Sequence, residues 1–167
     1  WCPSCNMLDE NVFRTKSFQA ETKDVVKLIL DVDSDISWSL KERFNVGGYP
    51  TTILTSSTLN EINRFVGYRS PKGFSNWMKS SLALKDEPIE FVQSKVVQLK
   101  DTSKDSKFKE EYNKKALRLA QWYVDQNENE RALSLLGDID SDLAEKLKLK
   151  AKLNIAKKTN DKNKMTL

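Results

Sequence analysis

The sequence contains no histidine. This absence excludes histidine-dependent general acid-base catalysis, Ser-His-Asp and Cys-His nucleophile systems, and every metal site that needs a histidine ligand. Long hydrophobic runs are absent as well. The most apolar stretch, residues 25–30, is interrupted by Lys27 and ends at Asp31, whereas a membrane-spanning helix needs roughly 18 apolar residues. No membrane span is therefore expected in this segment.

Glycine and proline are scarce, at five and four residues among 167, and neither sign of charge dominates. The chain has 28 Lys and Arg against 24 Asp and Glu, which gives a net charge of +4. This composition excludes collagen-like, low-complexity and strongly charged disordered chains. It also lacks the basic stripe that neutralises phosphates, so no nucleic-acid partner is expected. A globular protein with one full domain or two small ones is predicted.

The first half of the chain mixes helical and strand patterns, which indicates an α/β fold. Its predicted elements, in chain order, are a helix over 3–20 with a kink near 11–12, a buried strand over 24–33, a helix over 34–44, a hairpin with strands 51–55 and 61–66, and a helix over 70–84. The last helix has Pro71 near its first position, where a missing N–H is tolerated.

The second half has only helical patterns. Helices are predicted over 89–100, 106–126, 129–136 and 142–158. The polar residues 85–88 predict a hinge, and the polar end, 159–167, predicts a frayed tail. The expected domains are therefore an α/β domain over 1–84 and an all-α region over 89–158.

The two cysteines form the motif Cys2-Pro3-Ser4-Cys5 directly before the first predicted helix. Two intervening residues place the sulfurs within disulfide reach. The free N–H groups at a helix N-terminus stabilise a thiolate, so a lowered pKa of the Cys2 thiol is expected. A redox-active dithiol is favoured, because a bridge closing so short a loop stabilises little. A structural disulfide and a metal or cluster site shared between subunits are the alternatives.

A second motif opens the hairpin, where Tyr49-Pro50-Thr51 follows two glycines. Its order and spacing relative to Trp1-Cys2-Pro3-Ser4-Cys5 and to Gly67 resemble the thioredoxin superfamily over residues 1–84. Residues 11–13, 30–33 and 65–68 are most similar to the thioredoxin-like domains of extracytoplasmic bacterial proteins, such as the C-terminal domain of DsbD-type disulfide reductases.

This resemblance implies a thiol-disulfide oxidoreductase in which Cys2 attacks and Cys5 resolves. Pro50 would follow a cis bond and face the cysteines, and the backbone of Tyr49 would bind an extended substrate. An ordinary trans turn proline is the alternative. Trp1, Pro3 and Ser4 would form the surrounding active-site surface.

The same resemblance implies no metal and no cofactor beyond the disulfide itself. The expected partners are protein thiols or disulfides and an electron-donor protein. An extracytoplasmic, periplasmic location is favoured over a cytoplasmic one. Reduction of protein disulfides is the favoured direction, although a proline directly after the first cysteine resembles the oxidant DsbA.

One feature of the family is missing from the sequence. In the family, the cysteine motif follows a central strand and an earlier βα unit. The sequence is therefore expected to be a fragment of a longer protein, or to receive the strand in trans. Without it, the predicted strand over 24–33 and the hairpin would have unpaired ladder groups.

The helices over 106–136 carry small and aromatic residues in a spacing that resembles a tetratricopeptide repeat, with Ala132 at the contact between helices. One such repeat cannot bury its faces alone, so 89–112 and 142–158 must stack on it. The helical region would cover the redox domain or bind a protein partner. A non-catalytic binding or scaffold module is therefore the alternative to an enzyme.

Overall fold

The structure is a computed structural model that describes residues 1–101, 106–137 and 139–165. These residues form two compact units. The first consists of residues 1–54 and 64–86, and the second of residues 55–63 together with the helices from residue 87 onward.

The first unit contains four α-helices and most of a two-stranded sheet. Its elements are α1 (Pro3–Leu8), a π-helical turn (Asp9–Phe13), α2 (Lys16–Glu21), a 3-10 turn (Asp35–Ser37), α3 (Trp38–Arg43), strands β1 (Thr51–Thr55) and β2 (Glu61–Val66), and α4 (Pro71–Leu82). The hairpin and the three main helical regions agree with the sequence. The sequence also predicts an α/β first half followed by an all-α extension, and this prediction is confirmed.

Side-chain caps determine where these helices begin. The break after the first helical segment lies at Arg14-Thr15 rather than near residues 11–12 as predicted. Thr15 has an extended backbone, and its hydroxyl accepts the N–H of Phe18 at 3.2 Å. Ser70 caps α4 in the same way by accepting the N–H of Gly73 at 3.2 Å. Both hydroxyls satisfy N–H groups that have no partner within the helix.

An aromatic cluster centred on Phe74 forms the core of the first unit. The Phe74 ring meets those of Phe13, Phe18 and Phe65 edge-on, with centroids 5.8, 5.5 and 6.0 Å apart. Phe65 in turn packs against Trp77 at 4.8 Å. Edge-to-face pairs of aromatic rings stabilise a fold by more than the burial of their apolar surface alone. The cluster therefore joins the helical segment after the cysteines to β2 and α4.

The strand predicted over 24–33 is not formed, and this prediction is wrong. Residues 25–31 are irregular, and the side chains of Val26, Leu28 and Ile29 are 96%, 71% and 78% exposed. A strand is held by hydrogen bonds to a neighbouring strand. The sheet in the described residues contains only β1 and β2, and residues 25–31 form no ladder with either strand.

The second unit is built on four helices: α5 (Ile89–Lys100), α6 (Ser106–Asp125), α7 (Asn129–Leu136) and α8 (Asp142–Met165). α6 packs on α5, α7 and α8, and α7 also packs on α8. Five alanines, Ala116, Ala120, Ala132, Ala144 and Ala151, are completely buried where the helices meet. Their small side chains allow the backbones to approach closely.

The boundaries of α5 and α7 coincide with the predicted ones. α8 continues through 159–165, where the sequence predicts a frayed tail, and residues 166–167 lie outside the described residues. Within the described part of the chain, none of the helices combines the length and apolar composition that crossing a membrane requires.

The hairpin end, residues 55–63, makes partly buried polar contacts with the rest of the second unit. The Arg118 guanidinium donates to the carbonyl of Ile62 at 2.8 Å and to that of Glu87 at 2.6 Å. The Trp122 indole N–H donates to the Glu61 carboxylate at 2.7 Å. These contacts join residues that lie 31 to 61 positions apart in sequence, so no local pattern predicts them.

We expect Arg118→Met to destabilise the second unit by about 1–3 kcal/mol, because two carbonyls lose their donor. The Arg118 Nε has no hydrogen-bond partner among the described residues, and removing it offsets part of this loss. Urea denaturation followed by circular dichroism measures the change. Lys109→Gln on the exposed side of α6 is the matched control and should change stability little. An unaltered midpoint for Arg118→Met would contradict this assignment.

A pH dependence follows from Glu87. The hydrogen bond from Lys115 lowers the pKa of the Glu87 carboxyl, and the charges of Lys115 and Arg118 lower it further, against partial burial. A carboxyl whose pKa is lower in the folded state than in the unfolded state stabilises the fold at pH values above its unfolded pKa. This contribution to the free energy of unfolding is lost as the pH falls through the folded pKa. When the pH falls from about 5 to about 3, the Glu87→Gln variant should therefore lose less free energy of unfolding than the unaltered protein, as measured by urea denaturation. An equal loss of free energy of unfolding in the variant and in the unaltered protein would rule out a contribution from Glu87.

Candidate active site

The two cysteines form a disulfide at the start of α1, with their Cα atoms 5.3 Å apart. Cys2 is the N-cap residue of the helix, and its sulfur accepts the N–H of Cys5 at 3.2 Å. Its carbonyl accepts the N–H groups of Cys5 and Asn6 at 3.0 and 3.2 Å. Pro3 is the first helical residue, a position where the missing N–H costs no hydrogen bond.

An open pocket of about 230 Å³ lies beside the disulfide. It is lined by Trp1, Cys2, Cys5, Asn6, Leu30, Asp31, Val32, Asp33 and Tyr49. Both cysteines are partly buried. A small molecule or an extended peptide can therefore reach the disulfide from the open side of the pocket.

Trp1 is 80% exposed, yet its ring is held from two sides. The indole N–H donates to the Asp33 carboxylate at 3.1 Å. The ring also meets Tyr49 edge-on, with centroids 5.8 Å apart. Trp1 therefore has a defined position at the pocket although one of its faces is open to solvent.

The Tyr49–Pro50 peptide bond is cis. The Pro50 carbonyl accepts the N–H of Gly67 at 2.8 Å, and the Thr51 hydroxyl donates to the carbonyl of Gly48 at 2.6 Å. Gly67 has a φ of +88°, a conformation that side-chain-bearing residues rarely adopt. These contacts fix the loop that carries Tyr49 to the pocket.

Charge is distributed unevenly around the pocket. Asp31 and Asp33 are among its lining residues. The Lys41 ammonium lies 5.9 Å from the centroid of the Tyr49 ring and 5.8 Å from that of Trp38, and Lys41 is not a lining residue. This positive charge is therefore held by aromatic rings beside the pocket.

Four of the site residues predicted from the sequence line the pocket: Trp1, Cys2, Cys5 and Tyr49. Pro50 follows Tyr49 directly, while Pro3 and Ser4 occupy the first turn of α1 without lining the pocket. Sequence reasoning missed Asn6 and the wall formed by 30–33. The sequence signal for that wall is the acidic pair that follows the apolar segment 25–30.

Among the described residues, no group of three or more Cys, Asp or Glu side chains is arranged to hold a metal ion. The two sulfurs are bonded to each other. This bond gives the site the chemistry of a disulfide and its dithiol.

Comparison with known proteins relates this geometry to a family. Residues 1–80 match the family model described as Thioredoxin. A curated relative from Haemophilus influenzae strain PittEE, the thiol:disulfide interchange protein DsbD, is 31% identical over 84 residues, or 48% of this chain and 14% of the relative. The DsbD of strain PittGG is 30% identical over 86 residues, or 49% of this chain and 15% of the relative. The match thus spans about one seventh of these relatives. No solved structure matches the chain.

We expect Gly67→Ala to destabilise the first unit by about 1–2 kcal/mol, because an alanine is strained at positive φ. The strain should also displace the Pro50 carbonyl that the Gly67 N–H contacts. Urea denaturation measures the first effect, and the alkylation rate of the reduced cysteines measures the second. Gly47→Ala is the control, since Gly47 has no positive φ and open space around its Cα. Equal stability of the two variants would contradict the strain argument.

Proposed function

Because residues 1–80 form a thioredoxin-superfamily domain similar to that of DsbD, we propose that the chain is a thiol-disulfide oxidoreductase that acts through Cys2 and Cys5. The observation that carries the proposal is the Cys2–Cys5 disulfide at a helix start, in the wall of an open pocket shared with Tyr49. The disulfide serves as the redox group, and no further cofactor is needed.

In the reducing direction, the reaction begins with the reduced dithiol. The Cys2 thiolate attacks one sulfur of a substrate disulfide, which forms a mixed disulfide and releases the first substrate thiolate. The Cys5 thiolate then attacks the Cys2 sulfur, which forms the Cys2–Cys5 bond and releases the second thiolate. Two electrons pass to the substrate, and both released thiolates take protons from solvent. An electron-donor protein with a dithiol of its own returns two electrons to Cys2–Cys5.

The local structure supports the division of roles between the two sulfurs. The Cys2 sulfur accepts the Cys5 N–H at the helix start, where the helix dipole favours a negative charge. The Cys5 sulfur belongs to a residue inside the first turn. Cys2 is therefore the attacking sulfur and Cys5 the resolving one.

Tyr49 and Pro50 supply the substrate-binding backbone in this proposal. The hydrogen bond from the Gly67 N–H to the Pro50 carbonyl holds this loop, in which the Tyr49–Pro50 bond is cis. An extended substrate segment adds to its backbone by strand-like hydrogen bonds. Trp1, Pro3 and Ser4 contact the substrate around the disulfide.

The similarity to DsbD favours protein disulfides as substrates and reduction as the direction, in an extracytoplasmic, periplasmic setting. Oxidation of protein thiols is the alternative direction. The potential of the Cys2–Cys5 couple distinguishes them, since reductants of the thioredoxin type lie near about −270 mV and the oxidant DsbA near about −120 mV.

The helical unit favours a second candidate, a binding module whose cysteines are idle. Its helices α5–α8 have their own continuous core, and α6 and α7 form the pair with tetratricopeptide-like spacing. In this reading the unit holds a protein partner. Catalysed reduction of a protein disulfide that is lost in Cys2→Ser supports the enzyme. If the disulfide is reduced no faster than by the reducing agent alone, the binding module is supported.

We expect Cys5→Ser to accumulate a mixed disulfide between Cys2 and its substrate, because the resolving sulfur is missing. Cys2→Ser should accumulate little. Non-reducing gels of each variant incubated with a disulfide-containing protein show the adduct, which a reducing agent removes. The double variant with both cysteines replaced is the control. Adducts on Cys2→Ser and none on Cys5→Ser would reverse the assignment of roles.

A further inference from the structure

The two sides of helix α8 differ in their surroundings. Ala144, Leu147 and Ala151 are buried where α8 packs on α6 and α7. On the opposite side of the helix, about half a turn away, the side chains of Leu149 and Leu153 are 70% and 53% exposed. The outer side of α8 therefore presents two leucines, one helical turn apart, to a partner.

The exposed leucines belong to a regular apolar line along the helix. Leu153 follows Leu149 by four residues, Ala156 follows Leu153 by three, and all three side chains are exposed. We call these three residues the leucine seam. Steps of four and three residues are the heptad spacing with which one helix packs along another. The line is also narrow, which is typical of a coiled-coil contact rather than of the wide apolar face that a helix buries in a membrane interface.

Positive charge borders the leucine seam. Residues 146–158 contain six lysines and no acidic residue. By helical geometry, Lys152 lies beside the seam on one side, and Lys150 and Lys157 lie beside it on the other. Lys150 bonds Asp125 of α6 at 3.0 Å, whereas Lys152 and Lys157 form no ion pair with any residue that the structure describes. A partner that lies along the seam therefore meets positive charge on both sides.

We propose that the leucine seam binds an amphipathic helix of another protein, one that has apolar side chains along its line of contact and Glu or Asp beside them. In paired helices the residues beside the two seams face each other, so the acidic side chains would meet Lys150, Lys152 and Lys157. A second copy of this chain would place lysines against lysines, which opposes pairing. The inference goes beyond the proposed function, because it does not depend on the redox chemistry of Cys2 and Cys5.

The test measures the binding of synthetic helices to the whole chain. Three fluorescein-labelled peptides, each of three heptads, have Leu at both seam positions and Ala or Gln at the outer positions. The positions beside the seam are Glu in the first peptide, Gln in the second and Lys in the third. Each peptide is used at nanomolar concentration, so that it stays monomeric, and its fluorescence anisotropy is followed as the protein is raised to about 1 mM.

We expect the Glu peptide to bind about tenfold more tightly than the Gln peptide at about 0.05 M salt, because several exposed charge pairs form together. The Lys peptide should bind most weakly. Raising the salt to about 0.5 M should reduce the difference between the three peptides, since exposed charges are screened.

Leu149→Gln is the decisive variant, because this exposed position should accept glutamine without loss of the fold, which circular dichroism checks. It should weaken binding of the Glu peptide by about tenfold, since a leucine no longer becomes buried. Leu143→Gln is the matched control: Leu143 is another leucine of α8, 52% exposed, and lies about a third of a turn from the seam. Lys152→Gln should weaken binding by about two- to fivefold, whereas Lys158→Gln, on the opposite side of α8, should change it little.

The remaining outcomes would overturn the inference. These are no binding of the Glu peptide up to about 1 mM protein, equal binding of the Glu and Gln peptides, and equal weakening by Leu149→Gln and Leu143→Gln. Self-association in place of peptide binding, if abolished by Leu149→Gln in sedimentation experiments, would assign the seam to a second copy. Binding to vesicles of phosphatidylcholine and phosphatidylserine in place of peptide binding, if abolished by the same variant, would assign it to an anionic lipid surface. The disulfide chemistry is tested separately by Cys2→Ser.

Discussion

The first unit depends on the edge-to-face packing around Phe74. Helix α1 has only six residues, too few to be stable alone. Its position is fixed because the following segment places Phe13 and Phe18 against Phe74, while Phe65 brings β2 to the same ring. The disulfide at one end of α1 and the Tyr49–Pro50 loop at the base of the hairpin thus share one rigid support. The chemistry is performed at the surface, but its geometry is determined by these four rings.

The second unit is held together by different interactions. Its helices pack through alanines and aliphatic side chains, and its hairpin end is attached by polar groups. Arg118 alone supplies donors to two backbone carbonyls of that unit and lies beside the Glu87 carboxylate. Such partly buried hydrogen bonds are directional, so they determine which surface of α6 the hairpin end meets.

Features that depend on neighbouring residues can be predicted from the sequence, whereas features that depend on residues far apart in the chain cannot. Helices α5 and α7 were predicted to the residue, because their apolar periodicity and their termini are properties of neighbouring residues. The cysteine motif was found for the same reason. The segment 24–33 was predicted wrongly because its β-branched composition describes a preference, while a strand also needs a hydrogen-bonding neighbour. No local pattern indicates that residues 30–33 line the pocket, because the pocket forms where they meet Trp1 and Tyr49 in space.

The exposed segment around Val26, Leu28 and Ile29 has a consequence for handling the protein. A short stretch with high β-propensity and open backbone groups is a template for intermolecular pairing, and such pairing leads to aggregation. Lys27 lies within this stretch as a charged gatekeeper. Its ammonium, however, donates to the carbonyl and the hydroxyl of Thr22, both at 3.2 Å. These hydrogen bonds make the charge less available to oppose pairing with another chain. At high protein concentration, pairing through this stretch is therefore opposed by a lysine that is already engaged in hydrogen bonds to its own chain.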